Sequence, residues 1–133
     1  MFFASDNSSG AAPAIMAAVA GANDGYQRSY GADALMQRAT AQIREVLETP
    51  EAAVYLVATG TAANSLAVAL TCPPWGSAFC HRHAHVAEDE CGAPEFFAGG
   101  AKLVLVDGAH GKMTPEALAP QLARIGAGGV HSL

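Results

Sequence analysis

Charge is scarce in this sequence, and basic charge scarcer still: charged residues make up 14% of the chain, with 7 bases against 12 acids and a net charge of -5. That balance gives no electrostatic reason to approach a phosphate backbone or an anionic lipid surface, so neither nucleic acid nor membrane is an expected partner. No stretch reaches the ~18 apolar residues of a membrane span. Met1-Phe2-Phe3-Ala4-Ser5-Asp6 lacks both the basic region and the apolar run of an export signal, and a soluble cytoplasmic protein is the expectation. Cysteine is sparse as well. Cys72, Cys80 and Cys91 are odd in number and form no CxxC pair, which argues against a secreted disulfide framework and for reduced, mostly buried thiols. The phosphate-binding patterns GxGxxG and GxxxxGK[ST] are also missing.

What is present is apolar and small. Hydrophobic residues make up 51% of the 133 positions, too many for a disordered chain, and the length suits one domain. Thirty alanines and 14 glycines bury little apolar area each, so a stable core calls for more chain or more subunits.

Periodicity and punctuation then divide the chain. Pro13 suits the first turn of a short helix through Val19, followed by a loop over 21–31. Leu35, Met36, Ala39, Ile43, Val46 and Leu47 recur every three or four residues and predict a helix over 33–49, closed by Pro50. Ala53-Val54-Tyr55-Leu56-Val57-Ala58 reads as a strand buried on both faces, leading through Thr59-Gly60-Thr61 into a helix over 62–70. Further strands are expected at 77–80 and 102–106, with a helix from about Val86 to Phe97 interrupted at Pro94. Thr114-Pro115-Glu116 supplies an N-cap and a first-turn proline for a last helix through about Arg124. Strand and helix alternate, as in parallel α/β units.

Four groups carry chemistry. Thr59-Gly60-Thr61-Ala62-Ala63-Asn64 lies at a predicted strand-to-helix junction, where unpaired amides and the macrodipole favour an anion such as phosphate, and where an ordinary threonine cap also fits. His81-Arg82-His83-Ala84-His85, if extended, turns three imidazoles to one face like zinc ligands. A solvated loop with one functional histidine fits the same residues. Ser5-Asp6-Asn7-Ser8-Ser9 suits a carboxylate or a helix cap, and Tyr30-Gly31-Ala32-Asp33 places an aromatic on a glycine loop before the longest helix.

In this order the motifs resemble the threonine aldolase branch of the pyridoxal-phosphate enzymes of fold type I, within the beta-eliminating lyase superfamily. The likeness rests on Ser5-Asp6-Asn7, Tyr30-Gly31, Gly60-Thr61 with Asn64, and His85, and it spans nearly the whole chain. The family commonly has Ser-Asp-Thr and Ser-Gly-Thr where this chain has Ser5-Asp6-Asn7 and Thr59-Gly60-Thr61. The resemblance implies an α/β fold, mainly a parallel sheet with flanking helices, in which residues 1–133 form the N-terminal arm and first part of the large coenzyme-binding domain. It implies pyridoxal 5'-phosphate as cofactor, its phosphate on Gly60 and Thr61 and its ring under His85. Glu90 would sit beside that histidine. Ser5 would receive the substrate carboxylate, and Tyr30 would line the site across a subunit boundary in a dimer or tetramer. The reaction implied is cleavage of a β-hydroxy-α-amino acid to glycine and an aldehyde, with His85 in the proton transfer.

Such chemistry needs a lysine bonded to the coenzyme, and the two lysines here, Lys102 and Lys112, stand at a predicted strand start and before a helix cap. The family's lysine lies mostly farther along. The 133 residues are therefore expected to be the amino-terminal part of a larger enzyme and inactive alone. Two other classes compete: a small metal-binding α/β module built on His81, His83 and His85, and a noncatalytic interaction subunit with an alanine-rich surface.

Overall fold

The computed structural model describes residue 5 and residues 8–126. It divides into two units, Met1–Tyr55 and Leu56–Leu133.

The first unit is helical. Helix α1, Pro13–Ala22, has the expected proline in its first turn but no side-chain cap, and none of its residues is buried. Helix α2, Ala34–Val46, begins where the chain offers a true cap: the Asp33 carboxylate accepts the Met36 amide at 2.8 Å. It stops short of Pro50 because Glu48 turns left-handed (φ 52°) and the Thr49 amide closes back on the Arg44 carbonyl at 2.9 Å. Arg44 Nε then donates to the Ala52 carbonyl at 2.8 Å and pins the exit. Removing the cap with Asp33→Ala is expected to cost about 1 kcal/mol, read as a lower midpoint for loss of helical circular dichroism.

The strand expected over 53–58 does not form, and the segment is irregular. Its apolar side chains suit a core, but a strand exists only through the ladder it shares with a neighbour, and none runs beside it among the described residues. Tyr55 and Leu56 remain 81% and 67% exposed, so the double-sided burial expected of them is absent too.

The second unit carries the sheet. Helix α3, Gly60–Thr71, is capped by Thr59, whose hydroxyl accepts the Ala62 amide at 3.1 Å. Strands β1, Ser77–His81, and β2, Lys102–Val106, pair in parallel with Ser77 opposite Lys102 and His81 opposite Val106. Two short helices make the crossover: α4, His85–Glu88, and α5, Ala93–Phe97. The break between them falls earlier than Pro94, at Cys91 and Gly92, both left-handed (φ 53° and 72°), and Pro94 opens α5 instead of interrupting a helix. Helix α6, Pro115–Gly126, has the expected cap, the Thr114 hydroxyl accepting the Ala117 amide at 3.3 Å.

Packing places α5 on α3 and α6 against β2. Ala98, Ala101, Val104, Val106, Cys80 and Ile125 are buried between them. The thiols are free, but only Cys80 is buried, Cys72 is half-buried and Cys91 lies exposed on the left-handed turn, against the expectation of mostly buried cysteines. Burial, and then the nearby Glu95 charge, push the Cys80 thiol above its ordinary range, which makes it a core side chain and a poor nucleophile. Among the described residues no helix is long and apolar enough to cross a membrane.

Candidate active site

The carboxyl end of a parallel sheet is where α/β folds present side chains to ligands, and β1 delivers the histidines there. The ladder runs one residue past the strand, with the Arg82 amide on the Val106 carbonyl at 3.0 Å. Arg82 also pairs with Asp107 (2.6 Å), which holds that exposed carboxyl below its usual range. The backbone then turns, the Ala84 amide closing on the His81 carbonyl at 2.9 Å. The expected alternation needs an extended chain, and this turn removes it.

Each imidazole consequently finds its own partner. His81 is buried, with Nε2 at 2.9 Å from the Gly108 carbonyl and Nδ1 accepting the His83 amide at 3.1 Å, which assigns its proton to Nε2. Exposed His83 meets Glu88 at 2.8 Å. His85 opens α4 and places Nδ1 at 2.8 Å from Glu90 Oε1. Among the described residues no three His, Cys, Asp or Glu side chains are grouped to hold a metal ion, so the ligand set of the alternative reading does not assemble.

Glu90 is the buried centre of the arrangement. Its side chain is 0% exposed, and Oε1 accepts both from His85 Nδ1 and from Asn64 Nδ2 at 2.7 Å. A carboxylate oxygen only accepts, so the His85 hydrogen belongs on Nδ1 and Nε2 is left as the ring's free acceptor. Two-thirds of the His85 side chain stays exposed, which leaves the ring open to a ligand.

Asn64 lies one turn beyond Gly60 on α3. In that first turn Thr59 satisfies the Ala62 amide, while the amides of Gly60 and Thr61 have no partner among the described residues. A Cβ added at Gly60 would meet nothing within 4 Å, so the turn is open to an approaching anion. Of the residues singled out in the sequence, His85 and Glu90 are in direct contact, and Asn64 ties Glu90 to α3, the helix that Gly60 and Thr61 open. The role of Asn64 was missed because its contact spans 26 positions and has no local signal.

Ser5 and Tyr30 belong to the first unit. Ser5 is exposed and its carbonyl accepts the Ser8 amide at 3.2 Å, whereas Asp6 and Asn7 of the same motif lie outside the described residues. Tyr30 is fully exposed on left-handed backbone (φ 59°) beside Gly31 (φ 74°).

A family model described as beta-eliminating lyase matches residues 3–132. The chain belongs to that family. It is 48% identical over 116 residues to a low specificity L-threonine aldolase of Pseudomonas aeruginosa, covering 87% of this chain and 33% of that protein. A second such aldolase, from a Pseudomonas species, is 46% identical over the same length. The solved threonine aldolase of Leishmania major superposes with a TM-score of 0.80 at 30% identity, over 88% of this chain and 34% of that one. The chain thus spans about a third of the length of the curated relatives it matches. Its fold is the expected one, mixed α/β of fold type I with a parallel sheet and flanking helices, and it covers part of the aldolase structure.

Proposed function

We propose that these residues are the N-terminal arm and first part of the large domain of a pyridoxal-phosphate-dependent aldolase that cleaves β-hydroxy-α-amino acids, threonine among them, to glycine and an aldehyde. The observation that carries this reading is the buried Glu90 carboxylate tying α3, which bears the open Gly60–Thr61 turn, to His85. The residues fit the coenzyme in two places. Two unpaired amides and the positive end of a 12-residue helix suit its phosphate, and an imidazole two-thirds exposed yet held at Nδ1 suits stacking on its ring.

In this reading Gly60 and Thr61 hold the phosphate, His85 covers the ring, and Nε2 of His85 is the atom that takes the β-hydroxyl proton. Bound there, the coenzyme supplies the electron sink for breaking the carbon–carbon bond. Glu90 keeps the imidazole oriented, Ser5 receives the substrate carboxylate, and Tyr30 lines the site of a neighbouring copy in a cytoplasmic dimer or tetramer. Lys102 does not serve as the covalent lysine. It is paired with Ser77 at the amino end of the ladder, four residues and so roughly 13 Å from the carboxyl end that leads to His85. The lysine belongs to a later part of a longer protein, and alone the chain binds the coenzyme weakly, without a covalent bond, and does not cleave.

Gly60→Asp tests the phosphate turn without disturbing the fold, since the position is open and an acidic residue suits the first turn of a helix. Equilibrium titration with pyridoxal 5'-phosphate should show at least ~10-fold weaker binding from placing that charge beside the phosphate. His85→Ala should weaken binding of pyridoxal 5'-phosphate and of unphosphorylated pyridoxal alike. Unchanged affinity in both variants would refute the assignment.

A further inference from the structure

We infer that Asn64 is a positioning residue for His85, acting through Glu90; what His85 is positioned for rests on the function proposed above. Glu90 is completely buried, yet Oε2 has no partner among the described residues, so both donors that satisfy this carboxylate converge on Oε1. The two donors differ. His85 is largely exposed, whereas Asn64 projects from the second turn of α3, a helix held by α5. The side-chain amide is therefore the fixed point. Asn Nδ2 can only donate, so it selects a carboxylate oxygen and fixes the rotation of the Glu90 head group about its last torsion. With Oε1 so placed, the neutral His85 ring must keep its hydrogen on Nδ1 and present Nε2 as a bare acceptor.

Without the amide, Glu90 would retain one donor, itself exposed, for two buried oxygens. A buried carboxylate so poorly satisfied rotates or admits water, and the imidazole is freed to take the Nε2–H form that an unrestrained histidine prefers. The basic atom of His85 would then be blocked by its own hydrogen in most molecules. No contact between Asn64 and a ligand is needed for this effect.

The tautomers can be read directly from long-range proton–nitrogen spectra of the imidazoles in nitrogen-15-labelled protein at about pH 8, where an ordinary imidazole is neutral. In the wild-type protein His85 should be the Nδ1–H form, and in Asn64→Ala it should become mostly Nε2–H. His81 is an internal control for folding, because the Gly108 carbonyl and the His83 amide hold it as Nε2–H independently of Asn64. Asn64→Leu, which keeps the branched shape and loses the donor, should give the same result with less loss of packing. His85 remaining Nδ1–H in either variant, with the His81 signals unchanged, would overturn the inference. Adding pyridoxal 5'-phosphate to the wild-type sample separates the two ideas: failure to perturb His85 counts against the proposed function and leaves the tautomer result standing.

Discussion

Gly108→Ala is expected to destabilise the sheet-bearing unit severely. Gly108 follows β2 by two residues and lies in extended backbone (φ -176°), a conformation open to any residue, so no special torsion explains the glycine. The reason is space. A Cβ at this position would collide with the Lys112 carbonyl oxygen and stand 2.8 Å from its carbon, both backbone atoms that cannot swing aside like a side chain. To admit one methyl group the turn over 108–112 must open, which moves the Gly108 carbonyl that His81 Nε2 needs and the approach to the Thr114 cap. Overpacking alone costs ~1–3 kcal/mol, and loss of a buried hydrogen bond adds to it, so about 3 kcal/mol or more is expected. That is a large share of the stability of a small unit with a thin core. Gly111→Ala is the contrasting case. It meets no atom within 4 Å but sits at φ 72°, so it should cost only the ~1–2 kcal/mol of left-handed backbone. Urea unfolding of the two variants should therefore separate widely, and a Gly108→Ala midpoint equal to that of Gly111→Ala would contradict the closure of this turn.

The contrast shows what kind of information the sequence holds. Thr59 and Thr114 were legible as caps because a cap is a contact between residues three apart, written in adjacent letters, and the Asp33 cap is of the same local kind but reads in the sequence only as part of a loop. The α2 face was legible through its period, and β1 and β2 through short apolar runs set between breakers. Ala53 to Ala58 is as apolar as β2 and is not a strand, because pairing depends on a neighbour that local composition does not specify. The histidine cluster failed differently. Alternate residues share a face only while the chain stays extended, and the turn after His81 sends three imidazoles to Gly108, Glu88 and Glu90. Family likeness named Gly60, Thr61, Asn64, His85 and Glu90, yet neither likeness nor period could reveal that Asn64 bonds to Glu90.

That joining predicts a second large effect, in Glu90→Ala. The substitution removes a fully buried carboxylate and leaves Asn64 Nδ2 facing a cavity, with His85 released to solvent. Hydrogen bonds to a charged group contribute about 1.5–3 kcal/mol each and these two share one oxygen, so the expected loss is about 3 kcal/mol, not the sum. A buried charge is also costly in itself, and Oε2 gains nothing among the described residues, so the loss reflects the stranded partners more than the carboxylate's own contribution. The double variant Asn64→Ala/Glu90→Ala tests that distinction, because it removes the stranded donor together with its acceptor. It should be more stable than the sum of the single losses predicts by about 1–2 kcal/mol, whereas strict additivity would mean that the 2.7 Å bond carries no coupling. Coenzyme binding should not share that recovery. If His85 must be held to cover the ring, both the single and the double variant leave it loose, and both should bind pyridoxal 5'-phosphate as weakly as His85→Ala. Stability that returns while affinity does not would locate the function of the buried pair in orienting the imidazole, and affinity returning with stability would make Glu90 a packing residue.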